Sequence, residues 1–260
     1  MHNKIRQEAN MNILGVIPAR WASTRFPGKP LAMIRGRSMI MRVYDKAVAS
    51  GVFETVLVAT EDERILTHVH EQGGKAIMTA LTHRSGTDRC AEALQLLRKK
   101  TGKDWTAVIN IQGDEPLVDP ELMGVLAREF KPGEQGIMTL AAPLLDEGEA
   151  TDPNIVKVVC DIEGNALYFS RSLIPFLQQE AHAKRPAYPY LKHIGLYAYY
   201  SDTLLRIVQL PPSPLELAES LEQLRWLSNG YRVKVIQADV ISAGVDVPED
   251  LLKVEALLDD

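Results

Sequence analysis

The chain has 260 residues, of which 46% are hydrophobic and 24% are charged, and its formal net charge is -5 at pH 7. This composition favours a globular protein with a sizeable core and argues against an intrinsically disordered chain. The excess of negative charge argues against an extended surface for nucleic acid, and no apolar stretch is long enough to span a membrane. We therefore expect neither nucleic acid nor a membrane as a partner.

The cysteines and the first 20 residues indicate in which cellular compartment the protein is expected. Cys90 and Cys160 are far apart, and neither lies in a CxxC motif or beside a cluster of histidines. This spacing indicates neither a disulfide framework nor a zinc site, so both are predicted to be buried thiols. The first 20 residues hold no sustained apolar stretch before a cleavage site. A cytoplasmic protein is predicted.

In the first half of the chain, predicted strands alternate with predicted helices. Continuous apolar runs are typical of strands that are buried on both faces. Along the chain, each such run is followed by a segment with helical spacing. The strands are predicted over residues 12–17, 55–60, 75–80 and from 107 into a turn at 116, and the helices over 38–50, 62–74 and 86–102. This alternation predicts a doubly wound, mainly parallel α/β sheet, whose ligands bind beyond the carboxyl ends of the strands.

The second half is predicted to be richer in strands. Strands are expected within residues 136–145, 155–176 and 193–200, with a hairpin turn at 163–165, a long loop over 181–192, a last strand over 232–240 and a last helix over 248–258. The clearest helix is predicted from Ser213, a capping residue, to Asn229 and Gly230, which stop it. We predict an antiparallel extension of the sheet within a single domain, 1–260, whose residues 1–11 form a flexible extension.

The loop "IPARWASTRFPGKP" carries Arg20, Arg25 and Lys29 directly after the first strand. It has neither the spacing nor the hydroxyl of a Walker A motif. Guanidinium and ammonium groups on a rigid loop at a strand end suit phosphate oxygens. A solvated basic loop is the alternative.

Two aspartates follow glycines in loops, Asp114 in "QGDEP" and Asp246 in "GVDVP". Magnesium typically takes one or two protein carboxylates beside substrate phosphates, so this pair is a candidate magnesium site. Each aspartate could instead cap a turn. In "THRSGTDR", Ser85, Gly86 and Thr87 could likewise cap the helix that follows or lie against a base or ribose.

Seven motifs together resemble one family. They are "IPARWASTRFPGKPL", "HRSGTDR", "NIQGDEP", "ALYFSRSLIP", "HIGLYAYY", "PPSPLELAESLEQLRWL" and "GVDVPEDL". In this order, from about residue 12 to the end, the chain resembles the CMP-Kdo synthetases, the 3-deoxy-manno-octulosonate cytidylyltransferases. The resemblance implies a nucleotide-diphosphosugar transferase-like α/β fold and a homodimer. It also implies that CTP and Mg²⁺ activate the acidic sugar Kdo for lipopolysaccharide synthesis.

The resemblance also implies roles for individual residues. For CTP it implies Arg20, Ser23, Arg25, Lys29, Ser85, Gly86, Gln112 and Asp114. For the metal it implies Asp114 and Asp246, which with Arg20 and Lys29 form the catalytic set. For the sugar it implies Arg171, His193, Tyr197, Glu222 and Gln223. Two alternatives stay open, namely a cytidylyltransferase for a related sugar such as 8-amino-Kdo, and a non-catalytic nucleotide-binding regulator.

Overall fold

The computed structural model describes residues 11–22, 26–130, 136–144, 147–178, 188–238, 245 and 247–258. Its strands are β1 (Ile13–Ala19), β2 (Met33–Ile34), β3 (Arg37–Ser38), β4 (Thr55–Thr60), β5 (Ala76–Met78), β6 (Ala107–Asn110), β7 (Ile137–Pro143), β8 (Lys157–Cys160), β9 (Ala166–Ser170), β10 (Leu191–Tyr200) and β11 (Lys234–Gln237). Its helices are α1 (Met39–Ala49), α2 (Glu63–Glu71), α3 (Gly86–Thr101), α4 (Pro120–Glu129), α5 (Glu147–Thr151), α6 (Ser201–Ile207), α7 (Pro214–Glu219), α8 (Gln223–Ser228) and α9 (Asp250–Leu257).

The central sheet has the order β11-β7-β10-β6-β1-β4-β5. Strands β6, β1, β4 and β5 are parallel, while β10 runs antiparallel to both β6 and β7. The hairpin of β8 and β9 joins the edge of β10 as an antiparallel extension. The predicted fold class is confirmed.

Both faces of the sheet are buried, as the continuous apolar runs predict. Along β1, Ile13 and Ile17 pack into one core cluster, and Leu14 and Val16 pack into the cluster on the other face. Met11, which the sequence places in a flexible extension, packs against the first cluster, whereas residues 1–10 lie outside the described part of the chain. No described helix is both long and apolar enough to cross a membrane.

Most predicted elements are confirmed within a few residues, but the clearest predicted helix is wrong as one element. It is divided into α7 and α8 by Ser220, whose φ of 53° is left-handed. The predicted ends are confirmed, since Ser213 caps α7 and Asn229 ends α8 before Gly230. The residues on either side of the break bond to distant parts of the chain. These tertiary bonds stabilise the break although the apolar spacing favours one continuous helix.

Two smaller expectations also need correction. Cys90 is buried, but Cys160 is only partly buried, and both are free thiols. Burial raises the pKa of Cys160 to about 11, so this thiol is protonated at neutral pH. The predicted loop over 181–192 ends early, because Leu191 and Lys192 belong to β10, and residues 181–187 lie outside the described part of the chain.

Candidate active site

A cavity of about 270 Å³ lies at the carboxyl ends of β1 and β6, against the beginning of α3. It is lined by Pro18, Ala19, Arg20, Lys29, Pro30, His83, Arg84, Ser85, Gly86, Arg89, Gln112, Gly113 and Asp114. The position agrees with the general rule that open α/β sheets bind ligands beyond their carboxyl edge. Three loops that are distant in sequence therefore share one site.

The opening loop is folded so that Lys29 faces this cavity. Gly28 has a left-handed φ of 72°, and a Cβ at this position would lie 3.0 Å from the ring of Trp21. The Gly28 N–H also donates to the Trp21 carbonyl at 3.1 Å. Only glycine accommodates both the conformation and this close approach. Ser23 and Arg25 of the same loop lie outside the described residues.

Lys29 bonds to both of the loops that carry the predicted magnesium ligands. Its Nζ donates to Asp114 Oδ2 at 2.6 Å and to the Val245 carbonyl at 2.8 Å. The Val245 N–H in turn donates to the Asp114 carbonyl at 2.9 Å. Asp246, the other predicted ligand, lies outside the described residues, but Val245 directly precedes it in the sequence. Val245 therefore packs against the Asp114 loop.

Gly113 explains how the Asp114 loop approaches β1. A Cβ at this position would lie 3.0 Å from the carbonyl oxygen of Pro18, the next-to-last residue of β1. Gln112 lines the cavity as well, and its Nε2 donates to the Gly195 carbonyl on β10 at 3.0 Å. The role of Gln112 next to a nucleotide stays a prediction, and the structure gives it a bond to the antiparallel part of the sheet.

Ser85 caps a helix and also lines the cavity. Its Oγ accepts the Asp88 N–H at 3.1 Å, within a capping box that begins α3, and it also lines the cavity. The same hydroxyl donates to Glu222 at 2.9 Å, and Thr87 donates to the other Glu222 oxygen at 2.7 Å. Burial raises the pKa of Glu222, against the opposing effect of these two hydroxyl bonds. A predicted sugar residue thus bonds directly to a predicted nucleotide residue.

The other predicted sugar residues lie outside the cavity lining, around β9 and β10. Arg171 directly follows β9, while the buried Gln223 begins α8. On β10, His193 and Tyr197 have ring centroids 5.2 Å apart, and Tyr197 packs edge-on against Trp226 of α8. Burial lowers the pKa of His193 to about 3, so its imidazole is neutral at pH 7. These residues form one neighbourhood, joined to the cavity through Ser85–Glu222 and Gln112–Gly195.

Sequence reasoning missed three basic residues of the cavity, His83, Arg84 and Arg89. Arg89 is buried and forms an ion pair with Glu61 at 2.7 Å, and Glu61 also accepts the Trp21 N–H at 2.9 Å. This ion pair therefore joins the start of α3 to the opening loop. The sequence could have indicated them, because all three basic residues lie in "THRSGTDR" beside the hydroxyl-bearing residues that were predicted to contact a ligand.

Comparisons with known proteins agree with this architecture. A family model described as cytidylyltransferase matches residues 14–236. The chain belongs to the cytidylyltransferase family. A 3-deoxy-manno-octulosonate cytidylyltransferase of Bacteroides thetaiotaomicron is 49% identical over 253 residues, which are 95% of this chain and 98% of that relative. One of Cytophaga hutchinsonii is 47% identical over 95% of this chain and 97% of the relative.

Solved structures give the same result. A CMP:2-keto-3-deoxy-manno-octonic acid synthetase complexed with CTP aligns with a TM-score of 0.84 and 40% identity, over 95% of this chain and 98% of that one. The 4-diphosphocytidyl-2C-methyl-D-erythritol synthase of Anaerococcus prevotii is 15% identical, with a TM-score of 0.59 over 96% of this chain and 100% of that one, and it supports the fold alone. The family resemblance predicted from the seven motifs is confirmed.

Proposed function

We propose that this chain is a 3-deoxy-manno-octulosonate cytidylyltransferase that converts CTP and Kdo into CMP-Kdo and pyrophosphate. The observation that carries the proposal is the cavity at the carboxyl edge of the parallel strands, where Lys29 and Asp114 are 2.6 Å apart. It places a cation beside a carboxylate in one cavity, a pair of groups suited to phosphates and to a magnesium ion. Relatives of this name, up to 49% identical over nearly the whole chain, support the choice of substrates.

The proposed reaction is an in-line attack of the anomeric hydroxyl of Kdo on the α-phosphorus of CTP. The new bond joins that oxygen to the α-phosphorus, the bond to the pyrophosphate oxygen breaks, and the hydroxyl proton passes to solvent water or to the released pyrophosphate. Arg20 and Lys29 hold the phosphates, because their positive charges neutralise the negative charge of the triphosphate. No covalent enzyme intermediate is required, since phosphoryl-type transfer is catalysed chiefly by positioning and charge stabilisation.

The donor chemistry of the site fits magnesium. Asp114 supplies a partly exposed carboxylate to a cavity otherwise lined by basic and neutral groups, which matches the habit of magnesium of taking few protein carboxylates beside substrate phosphates. We propose that Asp114 and Asp246 hold Mg²⁺, which when bound supplies charge neutralisation at the α-phosphate. Lys29, which lies 2.6 Å from the Asp114 carboxylate, would then share this carboxylate with the ion and bind the adjacent phosphates.

The proposed sugar site lies beside Glu222, where the hydroxyl bonds from Ser85 and Thr87 connect it to the nucleotide cavity. Arg171 suits the carboxylate of Kdo, and His193, Glu222 and Gln223 suit its hydroxyls. The ring of Tyr197 packs against the rings of both His193 and Trp226.

The test is purified protein with Mg²⁺, read by pyrophosphate release across nucleotides and acidic sugars. We expect turnover with CTP and Kdo, and a preference for CTP over ATP, UTP and GTP. Faster turnover of 8-amino-Kdo would favour the related-sugar alternative. Nucleotide binding by calorimetry without turnover of any sugar would contradict the proposal in favour of a regulator.

We further propose a homodimer that acts in the cytoplasm and supplies CMP-Kdo to lipopolysaccharide synthesis. Large apolar side chains are exposed on and after β9, namely Leu167 at 62%, Leu173 at 38% and Phe176 at 90%. Exposed apolar area of this kind favours association. Light scattering after size exclusion is expected to give twice the mass of 28.9 kDa, and Leu167→Glu with Phe176→Glu is expected to reduce it toward the monomer. A monomeric mass for the wild type at micromolar concentration would contradict the dimer.

A further inference from the structure

Arg171 is held by the surrounding chain more fully than its position on a loop after β9 requires. Its Nε donates to the Glu219 carbonyl at 2.8 Å, and its Nη1 donates to the Pro153 carbonyl at 2.8 Å. Among the described residues, Nη2 has no acceptor. The guanidinium is therefore fixed by two backbone carbonyls, and its Nη2 is available to a ligand.

Glu219 also fixes the backbone of this segment. Its carboxylate accepts the Arg171 N–H at 2.9 Å through Oε2 and the Ser170 hydroxyl at 2.6 Å through Oε1. Glu219 is the last residue of α7, directly before Ser220, where the left-handed backbone divides α7 from α8. One glutamate thus bonds to Arg171 with both its side chain and its backbone, across 48 residues of sequence.

Lys157 holds the same residue from the other side. Its side chain is fully buried, and its Nζ donates to the carbonyls of Arg171 at 2.7 Å, Ile155 at 2.7 Å and Asp152 at 2.9 Å. Three acceptors use all three protons of an ammonium group. Burying a lysine is costly unless it is fully hydrogen-bonded, so this cluster requires a positively charged residue rather than a methionine of similar volume.

We infer that Glu219 and Lys157 are positioning residues for the sugar substrate, which hold Arg171 ready to pair with its carboxylate. The inference rests on the proposed function, because it takes Arg171 to be the carboxylate-binding group. A guanidinium that is fixed before binding loses less conformational entropy when the ion pair forms, so the effect belongs to sugar affinity. The break at Ser220 contributes to this positioning, because it allows Glu219 to bond to Arg171 while Glu222 bonds to Ser85.

The experiment compares steady-state kinetics of Glu219→Ala, Glu219→Gln, Lys157→Met and Arg171→Ala. We expect Glu219→Ala to raise the KM for Kdo at least tenfold with little change in the KM for CTP. Glu219→Gln is expected to restore most of the affinity, because its amide oxygen accepts the Arg171 N–H while its amide nitrogen donates to Ser170. Lys157→Met, checked for folding by thermal melting, is expected to change the KM for Kdo in the same direction as Glu219→Ala.

Glu216→Ala is the matched control, because Glu216 lies on the same helix and pairs with Arg225 at 2.5 Å without contacting Arg171 in the described structure. It is expected to lower the melting temperature while leaving the KM for Kdo within twofold of the wild type. An equal rise of the KM for Kdo in Glu216→Ala would overturn the inference, since general loosening of α7 would then explain the effect.

The double variant Arg171→Ala with Glu219→Ala separates this inference from the proposed function. If Glu219 acts through Arg171, the double variant is no worse than Arg171→Ala alone. A raised KM for Kdo in Arg171→Ala beside an unchanged value in Glu219→Ala overturns the positioning role and leaves the proposed function intact. An unchanged KM for Kdo in Arg171→Ala overturns both the sugar assignment and the positioning role, while failure of the wild type to turn over Kdo contradicts the proposed function itself.

Discussion

The cavity at the parallel strands and the neighbourhood around β9, β10 and α8 use charge in different ways. The cavity collects basic side chains that face its interior, and two of them, Arg20 and Arg84, are exposed. In the second neighbourhood the charged groups bond to the protein itself, as Arg171 does to two carbonyls and Glu222 to two hydroxyls. Arg20 and Arg84 are thus exposed to a charged ligand in the cavity, whereas Arg171 and Glu222 are fixed by the protein before a ligand binds.

This difference predicts which steps each region controls. Groups that gain partners only when charge develops on a phosphate act on the transition state, so their loss should lower kcat. Groups that are held in place before binding act on substrate affinity, so their loss should raise KM. Substitutions in the two regions can test this division.

The largest expected effect belongs to Asp114→Asn in the cavity. We expect kcat to fall about 100-fold or more, because losing one electrostatic stabiliser costs on the order of 3 kcal/mol in the transition state. Asp246→Asn is expected to have the same effect. The measurement is turnover across a magnesium titration, with thermal melting to check the fold.

Asp119→Asn is the matched control for this prediction. Asp119 is five residues further along the same loop and caps α4, accepting the Glu121 N–H at 2.8 Å. Asparagine caps a helix about as well as aspartate, so activity and stability should stay near those of the wild type. Near-normal kcat of Asp114→Asn at saturating magnesium would contradict the metal role, and a large loss of melting temperature would indicate that Asp114 only ties down its turn.

A smaller effect is expected for Lys29→Ala, about 10-fold to 100-fold in kcat/KM for every nucleotide accepted. The substitution removes the positive charge proposed to bind phosphate, together with the bonds of Lys29 to Asp114 and Val245. Lys103→Ala is the control, because Lys103 forms an exposed ion pair with Glu54 away from the cavity, and such pairs contribute little. A loss confined to CTP would show that Lys29 contributes to base selection rather than to phosphate binding.

The same comparison explains what the sequence could predict. The three loops that line the cavity were predicted from the sequence, because parallel strands bring their carboxyl ends to one edge of the sheet. Arg89 was missed although it lies within "THRSGTDR", and its partner Glu61 was missed because a buried ion pair between a helix and a loop leaves no periodic signal. In the second neighbourhood the strands were predicted, but the break at Ser220 was not, because bonds to partners more than 45 residues away in sequence determine it.

A smaller effect is expected for His193, on the pH dependence of stability. Burial lowers the pKa of its imidazole to about 3, below the ordinary 6.5 that it regains on unfolding. The unfolded chain therefore binds a proton in this range and the native protein does not. His193 thus stabilises the fold fully above pH 6.5 and loses this contribution as the pH falls toward 3, by up to about 1.4 kcal/mol per pH unit. Denaturant titrations between pH 7 and pH 4 should show a shallower pH dependence for His193→Asn than for the wild type.

The bonding around Thr139 predicts which ring nitrogen of His193 carries the proton. Thr139 Oγ1 lies 2.8 Å from the Leu196 carbonyl and 3.0 Å from His193 Nε2. The hydroxyl has one proton, and donating it at the shorter contact leaves its oxygen to accept from Nε2–H. Nδ1 is then an acceptor, which suits a sugar hydroxyl better than a charged group. Nitrogen NMR of the ring at pH 6 should report a neutral Nε2–H tautomer, and an imidazolium at that pH would contradict the neutral character that separates this region from the cavity.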